Sequence, residues 1–225
     1  MTLHPETHKD VVLFVQKFQQ DLVLSKQLLI NHNALPGARI GNISLRIPGE
    51  ERLLIATLSA PQPDTVALLN FDLQSDQENV SDNLREVAAL HVAIYRERPE
   101  ANAVIHTHSH YLTAFSIARQ PLPAYTNSLL GSLNEDQSVP VADWGPRYSI
   151  DPVVAALREN PHTPAVLLAN HGPFAWSSGG VLSVTRLLVN LEEAAYLTFL
   201  ARQLGGAHPL PYGAAEQVRN GWAPE

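Results

Sequence analysis

The chain has 225 residues, enough for one sizeable hydrophobic core or at most two small ones. It is 45% hydrophobic and 16% charged, too apolar for a disordered segment and ordinary for a folded domain. A formal net charge of -7 without any Lys/Arg cluster argues against nucleic acid as the main partner, and the absence of cysteine leaves His, Asp and Glu as the metal ligands.

The N-terminal "MTLHPETHKD" has no apolar signal core, and no later run approaches the roughly 20 apolar residues of a membrane span. A soluble cytoplasmic protein with no membrane partner is the expectation. Residues 7–32 carry apolar positions at three- and four-residue spacing and read as one or two amphipathic helices. "ALPGARIGNIS" reads as a loop, and "SLRIPG", "RLLIAT" and "VALLNFD" as a meander of antiparallel strands. Residues 83–97 form a helix, with Ser81 or Asp82 as N-cap and Pro99 as its stop. "ANAVIHTH" is a strand that feeds directly into a helix, "YLTAFSIARQ". "SVPVADW" is another strand and "SIDPVVAALREN" a helix; "TPAVLLANHGPFAWS" folds as two strands around "NHG". A long helix over 180–206 closes the pattern, with a loop-rich tail over 205–225. Strands interspersed with helices, without a regular βαβ repeat, indicate one α/β domain over 1–225, its core about 10–204.

The stretch "AVIHTHSH" carries the chemistry. On a strand, His106 and His108 project from one face, because side chains alternate with period two. Two imidazoles in a core would each need polar partners; at a strand end they can converge on a metal. Alone, His-x-His also describes surface or hydrogen-bonded histidines, so a third ligand is needed. "LLANHGPFAW" supplies His171, again at the end of an apolar strand, beside a glycine that lets the backbone turn sharply. His110 would share that face only if the strand continued, and the sequence there is helical. Glu86, on the preceding helix, is the candidate carboxylate for proton transfer.

Taken together, "GNISLR" (41–46), "LHVAIYRERPEANAVIHTHS" (90–109) and "LLANHG" (167–172) resemble the class II aldolase/adducin family, over about residues 10–200. The resemblance implies a three-layer α/β/α sandwich with a central, mostly antiparallel sheet, assembled as a homotetramer with interfacial active sites. It implies zinc on His106, His108 and His171, with Mn²⁺, Co²⁺ or Ni²⁺ also suited to three imidazoles. Its substrate loop maps onto Gly41, Asn42, Ile43, Ser44 and Arg46, where Gly41 permits close approach and backbone N–H groups could cradle an anion. Thr57 and Ser59 stand in a second substrate loop, "TLSA" here, which lacks the family's glycine.

The family's acid/base glutamate stands four residues before the helix histidine equivalent to His91. That position is Val87 here, and the carboxylate is one residue earlier, at Glu86. Arg85 and Glu86 occupy the places of phosphate-binding serines, so Arg85 becomes the candidate anion contact. Tyr125 lies near the position of the family's tyrosine acid, with core packing as its other reading. The resemblance implies a metal-dependent lyase of carbohydrate metabolism. It would cleave a small ketose-like or hydroxy-keto substrate by a reversible aldol reaction through a metal-stabilised enediolate. Epimerase, dehydratase and decarboxylase activities use the same enolate chemistry, and a metal-free, adducin-like interaction module is the alternative of a different class.

Overall fold

A computed structural model describes residues 5–36, 40–58, 66–75, 77, 80–133, 138–146 and 149–221. Helix α1 (Pro5–Asn31) leads into three antiparallel strands, β1 (Gly41–Arg46), β2 (Arg52–Thr57) and β3 (Val66–Asn70). Helix α2 (Asp82–Glu97) precedes β4 (Ala103–Thr107), α3 (His110–Ile117), β5 (Leu122–Pro123), α4 (Asn127–Leu130), β6 (Ser138–Val139) and β7 (Val141–Ala142). Then come α5 (Asp151–Glu159), the hairpin β8 (Ala165–Leu168) and β9 (Gly172–Ser177), α6 (Val181–Gln203) and α7 (Ala214–Gly221).

Seven strands form one sheet in the order β3-β2-β1-β4-β9-β8-β7, antiparallel throughout except for the β7–β8 pair. The period-two alternation of each strand sorts its side chains between two cores. Ile43, Ile105 and Ala175 pack on one face with Phe18 of α1 and Leu188 and Leu191 of α6. Val104, Val166 and Trp176 pack on the other with Leu90 and Ile94 of α2 and Leu157 of α5. The result is the expected α/β/α sandwich around a mostly antiparallel sheet.

Local chemistry sets the element ends. The Ser81 hydroxyl accepts the Leu84 N–H at 3.3 Å and starts α2. At its far end the buried Arg98 donates to the carbonyls of Leu157 and Asn160, at 2.7 and 2.9 Å, tying α2 to the end of α5. The strand expected over "SVPVADW" is broken at Pro140. Its first half pairs with β5 in a separate two-stranded sheet and its second half joins the main one. Proline has no N–H to give a ladder, but its carbonyl accepts the Leu167 N–H at 2.9 Å. Strand β1 begins at Gly41, within the expected loop, and α7 lies within the segment expected to be loop-rich.

The register gathers one end of the sheet into a site. Gly41 pairs with Thr107, Asn42 with Thr57, Leu168 with Gly172, and Ala142 with Leu168. The C-terminal ends of β2, β4, β7 and β8 therefore meet the N-terminal ends of β1 and β9.

Candidate metal centre

His106 is the penultimate residue of β4, His108 lies just beyond it, and His171 ends the three-residue loop of the β8–β9 hairpin. Asn170, in that loop, adopts the left-handed conformation (φ 58°) that Asn tolerates better than most residues. Two glycines let the segments close up. A Cβ on Gly172 would sit 2.5 Å from the Thr107 carbonyl oxygen, and one on Gly41 would sit 2.7 Å from that of His106. The ring centroids of the three histidines are 4.8–5.0 Å apart, and their ligand nitrogens all lie within 4.8 Å of one another. Three imidazoles at that spacing can reach one cation after small side-chain rotations.

Donor chemistry fits as well. His106 Nδ1–H donates to the Pro173 carbonyl at 2.8 Å, which leaves Nε2 with its lone pair. Burial, followed by the neighbouring His171 and His108, holds the His106 pKa well below the ordinary value. Burial also lowers His108 and His171, the latter with a further push from His108. All three are neutral near pH 7, the form that binds a metal.

Behind the trio runs a buried polar relay that the sequence did not reveal. His91 of α2 meets Asn42 Oδ1 through Nε2 at 2.5 Å and Ser44 Oγ through Nδ1 at 2.7 Å; Tyr95 lies 2.8 Å from Ser44. Burial lowers the His91 pKa to about 3, so the ring is neutral. Its Nε2–H then donates to Asn42, Ser44 donates to Nδ1, and the Asn42 Nδ2 donors remain for the cleft. The signal was present: His91 and Tyr95 are four apart on one helix stripe, and Asn42 and Ser44 share one strand face. A second support comes from Glu192 of α6. Its carboxylate accepts the N–H groups of Tyr111 and Leu112, each at 2.9 Å, and fixes the start of α3 just after His108. Burial raises its pKa, with those two backbone donors opposing the shift.

The trio opens into a cleft of about 480 Å³. Of the residues expected to bind substrate, Gly41, Asn42 and Thr57 line it, whereas Ser44 is fully buried in the relay. The "GNISLR" segment is not an anion cradle: it is a strand between β2 and β4, and its backbone groups serve two ladders. Arg85 sends its guanidinium to the Leu73 carbonyl and does not line the cleft. Helix α2 presents Leu84 and Val87 to the cleft, and about 100° of rotation per residue leaves Glu86 exposed to solvent. Tyr125 is half-buried away from the cleft, and His110 is exposed at the start of α3. Ser59 lies outside the described residues. A smaller cavity of about 210 Å³ shares Leu90 and His171 with the cleft and is lined by a carboxylate, Asp143.

Residues 20–199 match the Class II Aldolase and Adducin N-terminal domain. The chain belongs to the class II aldolase and adducin family. Class II aldolases depend on divalent metals, and the histidine trio of this family member is a donor set suited to such an ion. L-ribulose-5-phosphate 4-epimerase UlaF of Salmonella paratyphi A is 29% identical over 132 residues, which cover 54% of this chain and 58% of that protein. L-fuculose phosphate aldolase of Escherichia coli O157:H7 is 37% identical over 109 residues, covering 48% of this chain and 44% of that one. The chain thus spans about half the length of the curated relatives it matches. Its fold superimposes on L-fuculose 1-phosphate aldolase with a TM-score of 0.76 at 21% identity, covering 92% of this chain and 96% of that one. With YgbL of Klebsiella pneumoniae the TM-score is 0.72 at 26% identity, covering 91% and 98%.

Proposed function

We propose that the protein is a metal-dependent lyase that cleaves a small ketose-like or hydroxy-keto compound by a reversible aldol reaction. The observation that supports this best is the convergence of three neutral imidazoles, His106, His108 and His171, at the wall of an open cleft. A divalent ion held by them, zinc or another borderline ion, would supply a Lewis acid for the negative charge that develops on the substrate carbonyl oxygen. Asn42, its amide oriented by His91, would donate Nδ2–H to the same oxygen.

In the cleavage direction a base removes the proton of the hydroxyl β to the ketone. The carbon–carbon bond breaks, an aldehyde leaves, and the bonding pair passes to the ketone fragment as an enediolate, which takes a proton at carbon. Glu86 lines neither the cleft nor the cavity beside it. We assign the proton transfer to Asp143, which borders the site through His171. Epimerase, dehydratase and decarboxylase activities pass through the same kind of enolate and differ in how it is formed and consumed.

Homotetramer formation belongs to the same proposal and is supported by apolar side chains exposed on the outer helices, among them Leu13, Val23 and Leu24 of α1 and Phe199 and Leu200 of α6. Light scattering should then give four times the 24.6 kDa chain mass. Among the described residues no helix is long and apolar enough to cross a membrane; a cytoplasmic location is part of the same proposal.

Metal analysis and solvent exchange test the central reading. Purified protein is expected to hold one divalent ion per chain and to speed deuterium incorporation at the carbon α to the carbonyl of dihydroxyacetone in D₂O. Stoichiometric metal without exchange would reject the lyase, and protein that binds no metal would favour the interaction module.

A further inference from the structure

We infer that the cleft accepts the uncharged hydrocarbon substituent of an α-hydroxy-carbonyl compound and discriminates against a phosphorylated one. The inference rests on the metal reading above and concerns the part of the cleft that faces the trio. Ile40, Leu84, Val87, Leu90 and Phe174 form most of that wall. Asn42, Thr57 and Asn83 are its polar members apart from the histidines, and no Lys or Arg is among the described residues that line it.

Two of the routes by which this cleft could have met an anion, Arg85 and the backbone of residues 41–46, are diverted. Arg85, adjacent to Leu84 in the chain, is turned onto the Leu73 carbonyl. The backbone of residues 41–46 is held in the ladders with β2 and β4. A phosphate dianion on this wall would give up its water for aliphatic carbon with no Lys or Arg among the described lining residues to receive it, the costliest kind of burial. A hydrocarbon chain gains there instead, by about fourfold in affinity per buried methylene. The Asn42 amide and the metal ligands mark where the oxygenated head must lie, so the substituent runs along Val87 towards Ile40, which is 49% exposed at the rim.

Hydroxamates mimic the chelating head and separate the two questions. Zinc is titrated into the full chain first. Acetohydroxamate, hexanohydroxamate and 4-phosphonobutanohydroxamate are then compared by calorimetry on the zinc-loaded protein. Hexanohydroxamate should bind at least about tenfold more tightly than acetohydroxamate, and the phosphonate no more tightly than acetohydroxamate. Val87→Thr, which keeps size but exchanges a methyl for a hydroxyl, and Ile40→Thr, which also removes one carbon, should each erode the gain from the alkyl chain while zinc stoichiometry stays unchanged. Zinc binding with the phosphonate as the tightest ligand, or an alkyl gain untouched by both variants, overturns the inference alone. Failure of zinc to bind overturns the metal reading and this inference with it.

Discussion

The imidazole of His106 lies flat on the ring of Phe174, 4.3 Å between centroids and 16° between planes. With Nδ1 held by the Pro173 carbonyl, the stack leaves the ring one orientation, Nε2 towards His108 and His171. A ligand fixed on both sides loses little freedom when it binds an ion. His106→Ala is therefore expected to lower zinc affinity by at least about a hundredfold, at or beyond the upper end of what loss of an outer hydrogen-bond partner does. Phe174→Leu, which removes only the stack, should cost less than that. Competition with a chromophoric chelator measures both, circular dichroism confirms the fold, and an affinity within about threefold of the parent would remove His106 from the ligand set.

The His91 relay makes a prediction about acid stability. In the unfolded chain His91 titrates near the ordinary 6.5, whereas in the fold burial lowers it to about 3. Between those values the unfolded state binds the extra proton, so stability rises with pH. The contribution is complete above about pH 6.5 and is lost progressively as pH falls towards 3, by about 1.4 kcal/mol per unit. His106 acts in the same direction in metal-free protein. Urea unfolding of metal-free protein between pH 4 and 6 should show a slope that His91→Gln reduces by about one proton's worth. Equal slopes in the two proteins would mean that His91 is already charged in the fold.

Close approach of β4 to its neighbours predicts a graded response to alanine. Gly172→Ala drives a Cβ against the Thr107 carbonyl and Gly41→Ala drives one against that of His106, both backbone atoms that cannot swing aside. Each should destabilise the fold by about 1–3 kcal/mol and weaken zinc binding, because the displaced strand carries His106. At Gly131, a Cβ would meet the Ser128 carbonyl oxygen at an ordinary 3.6 Å and the backbone is helical. Alanine there should change stability by less than about 0.5 kcal/mol. Equal effects at all three positions would mean that the contacts at 41 and 172 relax freely.

The parts of this site that could be read in advance are those governed by short-range periodicity. Alternation in "AVIHTH" placed His106 and His108 on one face, and the turn residues of "NHG" placed His171 at a hairpin. Helix α2 was also legible, since Ser81 and Pro99 mark its ends. Which of its side chains reach the cleft was not, because one residue of register separates Val87 from Glu86, and only packing against the sheet decides it. The relay from Asn42 to Tyr95 joins a strand to a helix about fifty positions away, and although each pair shares a face of its own element, nothing local reports that the two faces meet. Pro140 split an expected strand because a single missing N–H can redirect pairing between two sheets.

That same one-residue register decides which carboxylate can move a proton. Glu86 and Asp143 are both exposed, but Glu86 lines neither the cleft nor the cavity beside it, while Asp143 lines that cavity and follows β7, whose last residue pairs with Leu168 at the foot of the His171 loop. The Ala169 N–H bonded to the Ala142 carbonyl, at 3.2 Å, holds those two segments together. Asp143→Asn keeps the shape and removes the base, so zinc-loaded variant protein should retain its metal while deuterium exchange into dihydroxyacetone falls at least about a hundredfold, the low end of general-base contributions. Glu86→Gln should exchange within about twofold of the parent, as expected for a surface change remote from the chemistry. The reverse pattern, with exchange lost on changing Glu86 and kept on changing Asp143, would show that a neighbouring copy or a movement of α2 brings Glu86 to the substrate, and would withdraw the assignment to Asp143.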